Sequence, residues 1–404
     1  MYIQRDSYLD IIKSVTGKHI IKVLTGMRRV GKSVILKQIQ DQLISDGVPQ
    51  EQIISINFEL MEFDSIRNYR LLEKYISQQM VNDKKYFVFL DEVQEVKGFE
   101  KVVNSLHAKG TAELFITGSN SNLLSGELAT YLTGRFYSIE ILPLSFKEIY
   151  QYIPGSTREE KFLSFIRGGG MPGILQFEGN SIVKNYLLDM YQSILLRDIV
   201  QRHSIRNVDL LKRFMQYIFA NTSQLFSAAS ITRYLKSEGR SLSKETLYQY
   251  LDAAKEAFLI HGVPRFDIKG KNVLKTNEKY CINDLGFRAL FFDNELDIGQ
   301  ALENIVYLHL RRQGHEIFVG KLDDKEIDFI AVRGKEKLYI QVAYLLAEQA
   351  TIEREFSPLE TIDDNYPKMV ISMDPINRSR NGIIHMNIID FLLAESPDQL
   401  SMLP

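Results

Sequence analysis

The sequence predicts an α/β protein built on a parallel sheet around a phosphate-binding loop, and three observations carry that expectation. Short apolar runs alternate with helical stretches over the first 145 residues, the pattern of a parallel sheet covered on both faces. Gly26-Met-Arg-Arg-Val-Gly-Lys-Ser33 spells G-x-x-x-x-G-K-S directly between an apolar run and a helix, the context that motif requires. A second apolar run, Phe87-Val-Phe-Leu90, ends in Asp91-Glu92.

The elements follow in order. Ile20 to Gly26 reads as a buried strand and Lys32 to Leu43 as a helix with Val34, Ile35, Leu36 and Ile39 available to its buried face. Strands are expected at Ile53 to Phe58, Tyr86 to Leu90 and Glu113 to Thr117, with a helix from Asn68 to Met80. From Phe146 to about Phe219 the pattern is helical, broken at Ile153-Pro-Gly-Ser156 and at Gly168-Gly-Gly-Met-Pro-Gly173. Helices Ser227 to Ser237 and Ser243 to Ile260 flank Glu238-Gly-Arg-Ser-Leu242. Strands around Val263 to Asp267 and Val273 to Ile282 follow, joined by the turn-prone Ile268-Lys-Gly-Lys-Asn272. Helix, turn, helix, hairpin is the order of a winged helix. From about 295 a second α/β unit begins, with a helix Glu303 to Gln313 and strands at Ile317, Glu326 to Val332, Leu338 to Tyr344, Lys368 to Ser372 and Ile383 to Ile389.

Composition excludes several classes. At 404 residues, 45% apolar and 25% charged, the chain is neither disordered nor fibrous. Its 49 basic residues against 51 acidic ones give −2, which argues against a wholesale polyanion binder but leaves room for a local basic face. Cys281 stands alone, so there is no internal disulfide and no thiolate zinc cluster. The opening residues are no signal peptide and no apolar run approaches the ~18 residues that span a bilayer. The expectation is a soluble cytoplasmic protein without membrane contact. Seven histidines show no H-E-x-x-H spacing and no glycine-flanked serine reads as a hydrolase elbow.

The motif residues imply specific chemistry. In Gly26, Met27, Arg28, Arg29, Val30 and Gly31 the glycines let successive backbone N–H groups surround a phosphate, and the helix N-terminus opening at Lys32, Ser33 and Val34 adds partial positive charge. Lys32 would reach the β- and γ-phosphates of ATP, and the Ser33 hydroxyl would hold Mg²⁺. Asp91, at the end of a neighbouring strand, takes the metal's water shell, and Glu92 polarises the attacking water. Thr117, Ser119 and Asn120 close a third strand where a polar side chain would sense the γ-phosphate.

Gly26–Ser33, Leu90-Asp-Glu-Val-Gln94, Thr117-Gly-Ser119, Leu132-Thr-Gly-Arg135 and Leu142-Pro-Leu-Ser-Phe146 resemble the AAA-type ATPases of bacteria and archaea that carry a C-terminal domain of unknown function. Gly168-Gly-Gly-Met-Pro172, Leu196-Arg-Asp-Ile-Val200, Asp284-Leu-Gly286, Leu302-Glu-Asn304 and Glu326-Ile-Asp-Phe329 extend the resemblance over nearly the whole chain. It implies an ATPase core over 1–145, a helical lid over 146–220, the winged helix over 221–290 and a restriction-endonuclease-like α/β domain over 291–404. It also implies that Pro172 lies against adenine. Arg135 is the charge-neutralising arginine of this reading, in cis or toward a neighbouring subunit of a homo-oligomer.

Restriction-like nucleases hold Mg²⁺ on carboxylates from a helix and two strand ends, with a lysine two residues after the last ligand. Glu303 and Asp328 fit the first two places, whereas Gln341 stands at the third and Ala343 at the lysine. The expectation is a degenerate site, unless a lysine arrives from elsewhere in the fold, Lys321 or Lys325 for instance. The hairpin region 225–280 carries ten basic and six acidic residues, a net of +4, with Lys269 and Lys271 at its tip, suited to phosphate contact. Two alternatives stay open beside the ATP-driven machine acting on nucleic acid: a slowly hydrolysing switch with protein partners, and an ATPase-coupled nuclease.

Overall fold

The computed structural model describes residues 3–121, 134–237, 239, 242–292 and 297–394, without the side chains of 275–277. Leu132 and Thr133 of one motif, and Glu238, Arg240 and Ser241 of the turn between the paired helices, lie outside the described residues. The chain divides into two compact units, Met1–Pro143 with Glu256–Phe258, and Leu144–Lys255 with Leu259–Pro404.

The first unit contains strands β1 (Ile21–Thr25), β2 (Ile53–Asn57), β3 (Tyr86–Asp91), β4 (Ala112–Gly118) and β5 (Phe136–Glu140). They form one sheet in the order β2-β3-β4-β1-β5, parallel throughout. Helices α1 (Asp6–Val15), α2 (Lys32–Ser45), α3 (Tyr69–Gln79) and α4 (Phe99–Lys109) accompany it. Every residue of β1 is buried, and the core gathers Ile21, Val23, Ile54, Val88, Leu90 and Ile116 from four strands. Lys22 is a charge inside that apolar run. It is fully buried and pairs with Glu113 on β4, which also takes Lys85 at 2.7 Å. Sequence periodicity missed α1, α4 and β5, and β5 extends the sheet beyond β1.

The second unit opens with helices, among them Arg158–Gly168, Asn180–Ser193, whose continuation Ile194–Gln201 is π-helical, and Val208–Ala220. Helices Ala228–Ser237 and Lys244–Glu256 precede a hairpin of β6 (Ile260–Asp267) and β7 (Asn272–Ile282). Strands β8 (Glu316–Leu322), β9 (Lys325–Arg333), β10 (Glu336–Val342), β11 (Lys368–Ser372) and β12 (Ile383–Asn387) complete a mixed sheet in the order β12-β11-β10-β9-β8-β6-β7. The hairpin read as a wing is therefore part of this sheet, because β6 runs parallel to β8 through Arg265, Phe266 and Asp267. The sheet takes strands from both sides of residue 290.

The register of β6 with β7 slips between Val263 and Arg265, and such a bulge bends a strand and raises its twist. On the far side of the slip, Asn304 of the helix Ile298–Arg312 bonds both backbone groups of Ile282, at 2.7 and 2.9 Å. Cys281, one residue earlier, is fully buried, with its sulfur 3.7 Å from Ser223 Oγ.

Two family motifs meet in one clasp. Asp284 accepts N–H bonds from Gly170 at 2.7 Å and from Gly286 at 2.8 Å. Gly169, at φ 72°, must lack a Cβ, since that atom would lie 1.8 Å from Asp284 Oδ1. Burial raises the Asp284 carboxyl to about 7, against the lowering effect of these backbone donors. A folded-state value above the ordinary 3.8 of an aspartate means that the native state holds the proton longer than the unfolded one. The stabilising contribution is complete below the unfolded value and is lost as pH rises through about 7. Asp284→Asn is expected to flatten the fall in stability between those two values, as read by urea unfolding across pH. Asp284→Ala should lower stability at every pH by about 1–3 kcal/mol through unpaired buried N–H groups.

Candidate nucleotide site

The register sets the site. β4 lies between β1 and β3, pairing Thr25 with Gly118 on one side and Leu90 with Ile116 on the other. Three carboxyl ends thus share one edge, the place where open α/β sheets bind ligands. The chain leaves β1 at Gly26, at φ 142°, where a Cβ would lie 2.4 Å from the carbonyl oxygen of Ile141. Arg29 at φ 62° and Gly31 at φ 102° complete the loop, and Gly31 caps α2.

Met27 and Val30 are fully buried and anchor the loop. Arg28 is partly buried and pairs with Glu59 at 3.4 Å, Arg29 and Ser33 are exposed, and Val34 is half-buried. Lys32 is buried. Its Nζ donates to the carbonyls of Gly26 at 3.1 Å and Met27 at 3.3 Å, and lies 3.3 Å from Glu92 Oε1.

Thr117 organises the acidic pair. Its hydroxyl donates to Asp91 Oδ1 at 2.5 Å and accepts from the Glu92 N–H at 2.8 Å. Glu92 takes φ 53°, a left-handed conformation uncommon outside glycine, and Gln94 donates to its Oε2. Burial raises Asp91 above the usual carboxylate range, against hydrogen bonds from Ser33 and Thr117. Burial also pushes Glu92 upward, but Lys32, Gln94 and Arg28 together hold it below its ordinary value. Ser119 and Asn120 are buried just beyond β4.

These residues fit a nucleoside phosphate with a hard divalent cation. The Ser33 hydroxyl and Asp91 carboxylate are oxygen donors in mutual hydrogen-bond contact, and the loop is a cradle that a side chain at residue 26 would fill.

Arg135 precedes β5 at the opposite end of the strands. Its carbonyl accepts from Ile21 N, and its guanidinium donates to Asn104 at 2.8 Å. The length of β1 separates it from Gly26. Pro172 belongs to the second unit, where it opens the 3-10 turn Pro172–Gln176.

In the second unit, Glu303 and Asp328 do come together, around a lysine of the hairpin that no sequence motif marks. Lys279 of β7, 3% exposed, places Nζ 2.9 Å from Glu303, 2.8 Å from Glu326 and 3.4 Å from Asp328. Burial works against its charge, but Asp328, Glu303 and Glu326 raise its pKa above the ordinary lysine value. Burial lifts Glu303 to about 8. Gln341 is engaged with its neighbours. Its Oε1 accepts the Asp328 N–H at 2.7 Å and its Nε2 faces Glu355 at 3.4 Å. Ala343 packs in the core, and Lys325 donates to Ser357 at 3.0 Å. The only strand signal that could have found Lys279 is its burial phase, two residues before Cys281. The cluster borders a cavity of ≈ 850 Å³.

Ser372, Asp374 and His385 form another buried group, but the hydroxyl lies 2.8 Å from Asp374 and 2.9 Å from His385 Nε2, while His385 Nδ1 accepts the Arg378 N–H. A ring so engaged donates through Nε2 and cannot take the serine proton; the group is structural.

The sheet order, the glycine loop and the Asp91-Glu92 turn define a P-loop domain of the AAA type, and the AAA domain family matches residues 18–150. A domain of unknown function (DUF8612) matches residues 159–297. The chain belongs to the family of an uncharacterized protein of Haemophilus influenzae, 36% identical over 398 residues, covering 97% of this chain and 98% of that one. An uncharacterized protein of Methanocaldococcus jannaschii is 35% identical over 368 residues, covering 86% of this chain and 79% of that one. Among solved structures, Orc1 of Aeropyrum pernix in complex with DNA matches 73% of this chain and 93% of its own, at 9% identity and a TM-score of 0.31.

Gly26→Ala is expected to displace the Ile141 carbonyl or reshape the loop, because no side chain flexes at that contact. Nucleotide affinity measured by calorimetry should fall at least tenfold, about 1.4 kcal/mol, while the far-ultraviolet spectrum stays native.

Proposed function

We propose that the first unit binds ATP with Mg²⁺ at Gly26–Ser33 and hydrolyses it, and that the second unit is a binding or scaffolding module that does not cut nucleic acid. The observation that carries the ATPase reading is the buried Lys32–Glu92 pair, 3.3 Å apart beside the hydrogen-bonded Ser33 and Asp91. Lys32 has no fixed carboxylate partner other than Glu92 among the described ion pairs, so its ammonium is the charge available to incoming phosphates. Glu92, held in its ionised form and aimed by Thr117 and Gln94, is the group that accepts a proton from water. Ser33 and Asp91 would hold Mg²⁺, which when bound neutralises charge developing on the phosphates.

The finer assignments belong to the same reading. Ser119 and Asn120 sense the γ-phosphate with Thr117. Arg135 acts in trans within a homo-oligomer. The hairpin's fit to nucleic acid is weaker than its charge count suggests, because Lys269 is paired with Asp323 at 2.6 Å.

Lys32→Ala should sharply weaken ATP binding, since it removes the charge facing the phosphates. Glu92→Gln should bind ATP as the wild type does and hydrolyse it ~10²-fold more slowly. Hydrolysis by Glu92→Gln at the wild-type rate in a phosphate-release assay would refute the water-activating role. Running the wild-type assay with and without DNA separates a nucleic-acid machine from a switch with protein partners.

For Arg135, a trans role predicts that Arg135→Ala binds ATP normally and hydrolyses poorly. Mixing it with Lys32→Ala protein should restore turnover in the mixed assemblies. Full activity of Arg135→Ala alone removes it from the mechanism.

A further inference from the structure

The carboxylates of the second unit have the composition of a divalent metal site, yet a lysine ammonium already stands at their centre. Three carboxylate oxygens, Glu303 Oε2, Glu326 Oε1 and Asp328 Oδ1, converge on Lys279 Nζ at 2.8 to 3.4 Å. A lysine ammonium has three N–H donors and no acceptor, so three oxygens match its donors. The nearer distances are those of charge-assisted N–H···O bonds, well beyond the ~2.0–2.6 Å of Mg²⁺ or Ca²⁺ to oxygen.

The groups that would complete an oxygen cage are engaged elsewhere. Asp328 Oδ2 accepts the Val342 N–H at 2.9 Å, and Gln341 Oε1 accepts the Asp328 N–H. Glu355 is taken by Arg354 at 2.8 Å and faces Gln341. Among the described residues no group of three or more His, Cys, Asp or Glu is arranged to hold a metal ion.

We propose that Lys279 is the resident cation of this cluster, occupying with its ammonium the place a divalent metal would take. The inference rests on the reading of the second unit as a non-cleaving module and supplies its physical reason. It also assigns β7 a task. The strand delivers the cation from the hairpin side, and the Asn304–Ile282 backbone bonds fix where along β7 the lysine sits. A buried ammonium held by three carboxyl groups is stable only while its partners remain, so the cluster ties β7, the helix Ile298–Arg312 and β9 into one assembly.

The test is Mn²⁺ binding to the nucleotide-free full chain, counted by electron paramagnetic resonance. Wild type and Asp328→Asn should bind the same amount, any ion at the first unit's loop being common to both. Lys279→Met should gain about one Mn²⁺ per chain, and Lys279→Met with Asp328→Asn should lose it again. Mn²⁺ bound by wild type and lost in Asp328→Asn would overturn the proposal, and so would a folded Lys279→Met that gains nothing. The wild-type comparison decides even where Lys279→Met does not fold. Incubating plasmid with Mn²⁺ separates the two claims. Asp328-dependent binding without cleavage sinks only the resident-cation proposal, whereas Asp328-dependent cleavage sinks the non-cleaving reading too.

Discussion

The hydroxyl of Thr117 is the smallest group on which the nucleotide site depends. It sits at the end of β4, between the strand that launches the glycine loop and the strand that ends in Asp91. By donating to Asp91 and accepting from Glu92 N it satisfies two buried groups at once. It also offsets part of the cost of a left-handed residue at Glu92, of order 1–3 kcal/mol. Without it, the turn that points Glu92 at Lys32 would lose its side-chain tie to β4. A parallel ladder sets the depth of each strand end, and one hydroxyl converts that depth into side-chain direction.

Much of the first unit was legible because its signals are local. A glycine loop needs no distant partner to be read, and β1, β2, β3 and β4 are short apolar runs whose neighbours alternate in type. Lys22 shows the limit. A lysine in the middle of β1 is invisible as a buried charge until Glu113, 91 residues later, is placed beside it. Arg135 shows another. Its motif suggested nearness to phosphate, but residues adjacent in function-bearing segments can fall at opposite ends of a parallel strand, and β5 was not seen in the sequence at all.

The second unit was legible by element and not by association. Its helices and most of its strands fall near their expected positions, yet the hairpin's membership of the sheet depends on β6 pairing with β8, a contact between segments 54 residues apart at Arg265 and Val319. Glu303 and Asp328 carried a pattern that could be searched for. Lys279 did not, because nuclease logic looks for a lysine near the last acid along the same strand. The missing cation came instead from the hairpin. Similarly, Asp284 and Gly170 are separated by 114 residues, and only the fold shows that their two motifs form one clasp.

Cys281 acquires a use from its position. It lies two residues from Lys279 on β7, so strand alternation places both side chains on the same face, and burial raises its thiol to about 12. A thiol so buried and so rarely ionised reacts only when the strand leaves its place. As the chain's single cysteine, it gives an alkylating reagent one target, and the rate of modification under native conditions measures the free energy of local opening at β7. The molecule thus carries its own clock for how often the lysine and its carboxylates come apart.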